Sequence, residues 1–464
     1  MNSIRSRGWL VLTFILAGAA YAIAAFCLVV LTWDGAGYVF NSIQRGHAAI
    51  PNSRYSDYPF LCVVSVCSQV ITDARWLACI YGLVLAVLPL GSLRLSFHFL
   101  SSPRLRALRI WPVLGILLSA LPGQIFLVAE AVSLTQVAWA IWAILAGDIS
   151  AAGLVWLGVL TIFVFFLHPT AALVYATAGG LLLAKAWHRA RTKDPRPNDL
   201  ASVPARYRSL STFSLVDKWL GLAFLGLAAI RLWYAFATAN SYEQGEETFA
   251  QNYLAFRDAL PSLWMLPFVY FLGLVVLGGV TGLIPRRFLV WLAGLTLGLL
   301  VIYGAGWATD PQVWVSAFSF RRFVLVGTLP LLAMGAFHWW YQKVASTHDP
   351  EQPSSDSGIG FIGSGSAAVF LFVFVTQSFS WRQELTRFQA DLSHCNKPVA
   401  TTDDLPWISR SPLHHWASTQ LSCVVQGKKV KTLFALDAKD VEGNQILLFP
   451  GIWFRKSNRW FEFE

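Results

Sequence analysis

The sequence predicts an all-α polytopic membrane protein with about 11 transmembrane helices and a small C-terminal extracytoplasmic soluble module of α+β type. Of its 464 residues, 56% are hydrophobic and only 13% are charged, whereas about 25% of the residues of a soluble domain are charged. This composition excludes a cytosolic enzyme, a coiled coil and general disorder. Because the basic residues of membrane proteins concentrate in cytoplasmic loops, the net charge of +10 does not indicate a nucleic-acid partner.

The predicted spans are apolar stretches close to the ~20 residues that cross a bilayer. The first is 8–32; Arg5 and Arg7 precede it, but it is too long for a cleaved signal peptide, so we expect an uncleaved span. Segment 58–72 is apolar but short, with Pro59 near its start, which favours an interfacial or re-entrant helix. The remaining spans are predicted at 76–97, 110–128, 132–147, 151–167, 169–187, 217–237, 262–283, 288–307, 321–341 and 366–380.

Basic residues predict the orientation of these spans. They cluster between spans two and three, six and seven, and eight and nine, and these loops all lie on the side of the N-terminus. Because cytoplasmic loops carry an excess of Lys and Arg, we expect an inner-membrane protein with a cytoplasmic N-terminus and, after an odd number of spans, an extracytoplasmic C-terminus. The residues of these loops are Arg104, Arg106, Arg109, Lys185, Arg189, Arg191, Lys193, Arg196, Arg206, Arg208, Arg286 and Arg287.

This topology divides the chain into four parts. Residues 1–345 form a transmembrane module whose first outer loop is 33–75. Segment 346–365 is rich in Ser, Gly and Pro, which predicts a flexible cytoplasmic linker. Residues 366–380 form the last span, and 381–464 have the composition of a soluble extracytoplasmic module.

The C-terminal module contains two β-like runs, at 431–436 and 445–449. It also contains Cys395 and Cys423. In an oxidising compartment these two are candidates for one disulfide, and two free thiols are the alternative. No Cys or His spacing in the chain is typical of zinc ligands, so we predict no metal site.

The stretch directly after the first span contains the main candidate for chemistry. Asp34 follows that span on the outer side, and small residues and then Tyr38 come next. A carboxylate in this place is suited to act as a general base. Asp is also favoured at the N-cap of a helix, so the start of an interfacial helix is the alternative interpretation.

The next segments complete an ordered pattern. Tyr58-Pro59 leads into an apolar helix, and Asp73-Ala74-Arg75-Trp76 precedes the second span. Together with Asp34 and Tyr38, this order resembles the front end of the GT-C superfamily of integral membrane glycosyltransferases, of the bacterial aminoarabinose transferase and protein O-mannosyltransferase type. The family often has Asp-Glu at the acidic position, where this chain has Asp34-Gly35.

Two later segments extend the resemblance, which covers roughly residues 8–340. His168-Pro169 breaks a long apolar run, as a His-Pro or Lys-Pro pair does in similar proteins. Arg321 and Arg322 begin a late span that contains Pro330, similar to the Arg-Tyr and Pro pattern at the start of a late span in many of these enzymes.

The resemblance implies a GT-C-like bundle that transfers a hexose or pentose from a polyprenyl-phosphate donor to a hydroxyl of a lipid, glycan or protein acceptor. Asp34 would take the proton of that hydroxyl, and Arg321 or Arg322 would bind the phosphate that leaves. His168 would contact phosphate or shuttle a proton. Relatives differ in their use of a divalent cation, so no cofactor is certain and a cation stays open.

Further polar residues at outer positions join this candidate site. Glu130 is a second carboxylate candidate, and Tyr38, Arg54 and Asp57 are candidates for contacts to substrate. Each has a structural alternative. In the alternative interpretation, Glu130 is a residue at a helix end and His168 is a polar residue in a short turn. Arg54 and Asp57 would then form a pair on the surface. The side chains of Arg231, Arg321 and Arg322 would extend to the membrane interface.

Two other functions compete with the transferase. A transporter or flippase would also span the membrane many times, but it tends to have internal repeats and paired helix breaks, and the sequence has no convincing repeat. A non-catalytic accessory protein with a GT-C-like fold is the third interpretation, because a fold does not determine a function. Membrane lipids are expected partners in all three.

Overall fold

The structure is a computed structural model and consists mainly of helices, with a few short strands near the C-terminus. Three of the predicted spans, 262–283, 288–307 and 321–341, lie outside the residues that it describes. The described residues are 2–32, 34–48, 55–102, 105–119, 130–168, 171–191, 210–238, 356–411, 413, 417–442, 445–449, 452–454 and 460–463.

The helices of the described residues coincide with most of the apolar stretches in the sequence. Short 3₁₀ turns at Val29–Leu31, Tyr55–Asp57 and Arg106–Arg109 join some of them. Numbered over the described residues, the helices are α1 (Asn2–Phe26), α2 (Asp34–Arg45), α3 (Tyr58–Cys67), α4 (Ala74–Leu85), α5 (Val87–Phe99), α6 (Ile110–Ser119), α7 (Glu130–Ala146), α8 (Ala151–Phe165), α9 (Ala171–Arg191), α10 (Leu210–Thr238), α11 (Asp356–His394) and α12 (Ser418–Gln426).

Among the described residues, three helical segments are long and apolar enough to cross a membrane: Gly8–Phe26, Ala74–Phe99 and Leu215–Thr238. The second of these joins α4 and α5, because Ala86 between them has helical dihedral angles. Helices α7, α8 and α9 are apolar but shorter. Helix α3, in the segment expected to be interfacial or re-entrant, has ten residues and is too short to span a bilayer.

The first span differs from the continuous helix expected over 8–32. Helix α1 ends at Phe26, and Leu28 has a φ of 59°, in the left-handed region that a leucine seldom adopts. The Leu28 carbonyl accepts a hydrogen bond from the indole Nε1 of Trp381, 3.0 Å away. A contact with a helix more than 350 residues later in the chain therefore accompanies the end of α1.

Helices pack around one continuous apolar core. Helix α1 packs against α4 and α11, α5 against α7, and α6 against α7 and α11. Helices α9 and α10 approach each other closely at Gly179 and Gly221, where a Cβ added to Gly179 would lie 2.9 Å from the carbonyl oxygen of Gly221. Small residues allow such close contact between apolar helices.

Helix α11 differs from the expected boundary between linker and last span. It begins at Asp356, so 356–365 is helical where a flexible linker is expected, and it continues past 380 to His394 without a break. At 1.5 Å per residue its 39 residues reach about 58 Å, more than the ~30 Å of a bilayer core. The C-terminal module therefore follows directly on a helix that begins within the predicted linker.

The C-terminal module combines α12 with short strands. Strand β1 (Val399–Ala400) pairs in parallel with β3 (Leu433–Phe434), and β2 (Lys429–Val430) pairs in parallel with β7 (Glu462–Phe463). An antiparallel meander is formed by β4 (Val441–Glu442), β5 (Gln445–Phe449) and β6 (Ile452–Phe454). The β-like run at 445–449 is a full strand, whereas only two residues of 431–436 are in a strand.

Of the two alternatives for Cys395 and Cys423, the structure has the two free thiols and not the candidate disulfide. Cys423 is completely buried in α12, where its Sγ lies 3.5 Å from the carbonyl oxygen of Thr419. Burial raises the pKa of this thiol well above its usual range. Cys395 follows the end of α11 and is half-buried.

Candidate functional site

Asp34 is the first residue of α2 and is only 6% exposed. A carboxylate in the first turn of a helix is stabilised by the partial positive charge of that helix end. Tyr38 lies one turn later on the same face, and it is also buried. The acid and the aromatic that the sequence singles out are therefore brought together in a buried part of the molecule.

The C-terminal module covers the helix that Asp34 begins. Helix α12 packs against α2, and the rings of Phe40 in α2 and Phe461 in the module stack with their centroids 5.2 Å apart. Helices α3 and α4 pack against other parts of α2. We call the end of the bundle formed by residues 34–73 the loop end, and the C-terminal module lies against it.

A second contact between the bundle and the module involves Asp73 and Arg75. Asp73 caps α4, and the Nη2 of Arg75 donates to its Oδ2 at 2.7 Å. Burial raises the pKa of the Asp73 carboxyl, but the hydrogen bonds and charge of Arg75 outweigh that effect and hold the pKa below its usual range. Gly427 of the module, with a φ of 76°, lies close to the guanidinium, since a Cβ added there would be 3.6 Å from it.

Asp57 and His168 lie on two elements that meet at the end of α8. Asp57 ends the turn before α3 and is 4% exposed, while His168 follows α8 and is half-buried. The hydroxyl of Ser56 donates to the carbonyl oxygen of Phe163. The rings of Tyr55 and Phe166 are 5.9 Å apart, so the turn that contains Asp57 packs on the last turn of α8.

The positions of the other predicted site side chains lie outside what the structure describes. Glu130 is the first residue of α7, and the position of its side chain lies outside what the structure describes. Arg54, Arg321 and Arg322 also lie outside the described residues. The convergence of Asp34 with an arginine from the late span stays a prediction.

The side chain of Arg231, which the sequence predicts to extend to the membrane interface, is buried. It is 5% exposed, whereas its neighbours Ile230 and Leu232 are 53% and 50% exposed. The guanidinium therefore faces the bundle and does not extend to water. The sequence contained a signal for this position, because Arg231 interrupts the 24-residue apolar segment Leu215–Thr238.

Lys185, which the sequence predicts in a cytoplasmic loop, is instead a second buried charge. It lies inside α9, and its Nζ is 3.5 Å from the Oδ1 of Asp217 in α10, with both side chains at most 3% exposed. Its Nζ also donates to the carbonyl oxygens of Leu145 and Gly147 at the end of α7. A cation is favourable there because a helix C-terminus carries partial negative charge.

Charges thus lie at both ends of α8, which is about 22 Å long by its residue count. The buried pair of Lys185 and Asp217 is near its start, and Asp57 and His168 are near its end. Within the part of the chain that the structure describes, no three His, Cys, Asp or Glu side chains group as a metal site requires. Comparisons with protein-family models, curated proteins and solved structures find no match to this chain.

Proposed function

We propose that the protein is a membrane glycosyltransferase that moves a sugar from a polyprenyl-phosphate donor to an acceptor hydroxyl at the outer face of the cytoplasmic membrane. The observation that carries this proposal is the burial of Asp34 at the start of α2, directly after the first span and beneath the C-terminal module. The GT-C-like order of motifs from Asp34 to Tyr58-Pro59 supports the same function.

In this mechanism Asp34 is the general base. A sugar hydroxyl is a poor nucleophile until a nearby carboxylate takes its proton as it attacks the anomeric carbon. A buried carboxylate at a helix start is held in one place, which favours proton transfer in a defined direction. Arg321 or Arg322 would stabilise the phosphate that leaves, for which a guanidinium provides paired donors.

The proposed orientation puts the N-terminus in the cytoplasm and the loop end outside. The C-terminal module then lies on the outer side, against the same loop that contains Asp34. An acceptor would reach Asp34 between this module and the bundle. The acceptor class, whether lipid, glycan or protein, is thereby restricted to molecules present at the outer face.

The proposal is tested by incubating the purified full-length protein with hexosyl and pentosyl polyprenyl phosphates and measuring the loss of sugar from the lipid. Asp34→Asn removes the base but keeps the side-chain volume, so we expect turnover to fall by roughly 10²- to 10⁴-fold. Asp148→Asn is the matched control, because Asp148 is exposed near the start of α8, and it should retain wild-type turnover.

Two results would count against this function. Full activity of a folded Asp34→Asn variant would remove Asp34 from the mechanism. A wild-type protein that neither binds nor turns over any donor would favour the accessory function. Movement of a lipid or solute across vesicles, without any loss of sugar, would favour the transporter or flippase.

A further inference from the structure

Leu28 is a strained residue in the turn between α1 and α2. Its φ of 59° lies in the left-handed region, where the Cβ of any residue other than glycine crowds the following carbonyl oxygen. Among the described residues, Leu28 is the one non-glycine residue with a positive φ. Such a backbone persists only where surrounding contacts hold it, and it is commonly found near sites of function.

The side chain of Trp381 in α11 holds the Leu28 backbone from a distant part of the chain. The indole is 2% exposed, and its Nε1 donates to the carbonyl oxygen of Leu28 at 3.0 Å. The same oxygen accepts a second hydrogen bond, also of 3.0 Å, from the backbone amide of Leu31. Because both acceptor positions of the carbonyl are then used, the direction in which it points is fixed.

Short hydrogen-bonded turns connect Leu28 to Asp34. The amide and the hydroxyl of Thr32 both donate to the carbonyl oxygen of Val29, at 3.0 and 2.8 Å. The amide of Gly35, the residue after Asp34, donates to the carbonyl oxygen of Thr32 at 3.2 Å. Since each turn starts from backbone that the turn before it has placed, the conformation of Leu28 determines where Asp34 begins α2.

Helix α11 connects this turn to the C-terminal module. It packs on α1 and on the 3₁₀ turn Val29–Leu31, and it also contacts α12. Helix α12 in turn packs against α2. One helix therefore contacts the turn before Asp34 and leads into the module that lies on α2.

We propose that Trp381 is a positioning residue, whose hydrogen bond to the Leu28 carbonyl holds Asp34 where it can take a proton from the acceptor hydroxyl. The inference rests on the proposed function and deepens it, because it explains how the base is placed. Trp381 acts through the backbone and touches no substrate in this mechanism. A general base must lie within hydrogen-bond distance of the proton that it takes, and a misplacement of ~1 Å can lower the rate roughly 100-fold.

The first test is turnover of hexosyl and pentosyl polyprenyl phosphates by purified full-length Trp381→Phe. This variant removes the indole N–H and keeps an aromatic ring. We expect kcat to fall roughly 10- to 100-fold, while the KM for the donor stays at the wild-type value, because no contact to the donor is removed. Trp407→Phe is the matched control and should keep wild-type kcat, because it also loses an indole hydrogen bond, the one of 2.9 Å to Asp391, but at a place apart from Leu28.

A double-variant comparison separates positioning of Asp34 from a loss of packing. A general loss of packing would lower turnover by the same factor whether or not Asp34 is present. If Trp381 acts through Asp34, then adding Trp381→Phe to Asp34→Asn should lower the residual turnover little further. Equal factors in the two backgrounds would overturn the inference.

Glycine at position 28 provides a rescue that only the backbone mechanism predicts. Glycine adopts a positive φ without strain, so the turn no longer needs the indole to hold it. Trp381→Phe/Leu28→Gly should therefore recover part of the lost kcat per folded molecule. Trp381→Phe/Leu28→Ala is the matched control, because it also removes the leucine side chain but keeps the Cβ, and it should not recover. Equal kcat in these two double variants would contradict the mechanism.

The outcomes distinguish this inference from the function on which it rests. If wild type turns over a donor and folded Trp381→Phe has the same kcat, the inference is wrong while the proposed function stands. If wild type turns over no donor, the proposed function fails, and the inference fails with it. If Trp381→Phe does not fold, site-specific replacement of Trp381 by 3-benzothienylalanine removes the N–H from a ring of the same shape. A lower kcat in that protein supports the inference, and wild-type kcat overturns it.

Discussion

The buried charges of the described residues differ in what their surroundings allow them to do. Lys185 has a carboxylate and two helix-end carbonyls as partners, so its charge is compensated in a structural arrangement. Asp34 is buried at a helix start, next to an aromatic on the same face. The guanidinium carbon of Arg231 lies 5.6 Å from the ring centre of Phe165 and 5.4 Å from that of Tyr234. Lys185 and Asp217 therefore have a structural part in the packing of α9 against α10.

At the residue scale, we predict that Lys185→Met strongly destabilises the protein. The substitution leaves the carboxylate of Asp217 buried without its cation, which typically costs about 3–5 kcal/mol. The double variant Lys185→Met/Asp217→Leu should recover most of this loss, because an apolar pair of similar volume is tolerated. The free energy of unfolding of the full-length protein in detergent measures both effects.

The control for this pair is Lys218→Met. Lys218 is the neighbour of Asp217 in the sequence but is exposed, so its replacement should change the free energy of unfolding little. If Lys185→Met cost no more than Lys218→Met, the buried ion pair would have no part in the stability of α9 and α10.

Helices of this protein interact through shape as well as through charge. Helices α9 and α10 have their closest approach at Gly179 and Gly221, where backbone lies against backbone. Helix α11 is a continuous helix that packs on α1 and then enters the C-terminal module.

At the element scale, we predict opposite effects of alanine at two adjacent glycines of α9. A Cβ at Gly179 would lie 2.9 Å from both the Gly221 oxygen and a Leu225 carbon, so Gly179→Ala must push α10 away. Such overpacking typically costs about 1–3 kcal/mol. At Gly180 a Cβ would meet no atom within 4 Å, and alanine favours helix there.

Unfolding of the two variants in the same detergent tests this contrast. Gly179→Ala should lower the free energy of unfolding, while Gly180→Ala should leave it unchanged or raise it slightly. Equal stability of the two variants would contradict the close approach of α9 and α10.

At the scale of the whole molecule, the C-terminal module and the first loop form one face. The contacts between Phe40 and Phe461, and between Arg75 and Gly427, join segments more than 420 and more than 350 positions apart in the sequence. The indole of Trp381 adds a hydrogen bond to Leu28 at the end of α1. The helix that Asp34 begins therefore contacts the module as well as the bundle.

We predict that Val70 and Lys431 are accessible from the same side of the membrane, and Ser101 from the opposite side. Val70 is in the first loop and Lys431 in the module, while the segment Ala74–Phe99, about 39 Å long by its residue count, separates Val70 from Ser101. All three side chains are exposed. Single cysteines at these positions, in a background without the native cysteines, report accessibility to a membrane-impermeant thiol reagent.

In intact cells, the proposed orientation requires labelling at 70 and 431 and protection at 101. After the membrane is opened, all three should react. Protection of 70 and 431 together with labelling of 101 would reverse the orientation but keep the shared face. Labelling of only one of 70 and 431 would contradict the position of the module against the loop.

The positions of the helices follow from local properties of the sequence. Apolar stretches of sufficient length predict α1, the α4–α5 segment and α10, because a helix satisfies its own backbone hydrogen bonds and needs no distant partner. The short α3, which has Pro59 in its first turn, and the helix that starts at Asp34 also follow from local signals. Local signals also make Asp34 and Tyr38 candidate site residues, because both lie directly after an apolar span.

Packing between distant parts of the chain decided several features that local sequence patterns do not determine. The break at Leu28, the helix at 356–365, the buried partner of Lys185 and the inward direction of Arg231 all depend on contacts between elements that are distant in the sequence. Burial and orientation are properties of the assembled bundle, and the residues of a single stretch do not determine which neighbour will cover them. For the same reason the thiols of Cys395 and Cys423, candidates for a bond because both belong to the C-terminal module, are free, with Cys423 buried and Cys395 half-buried.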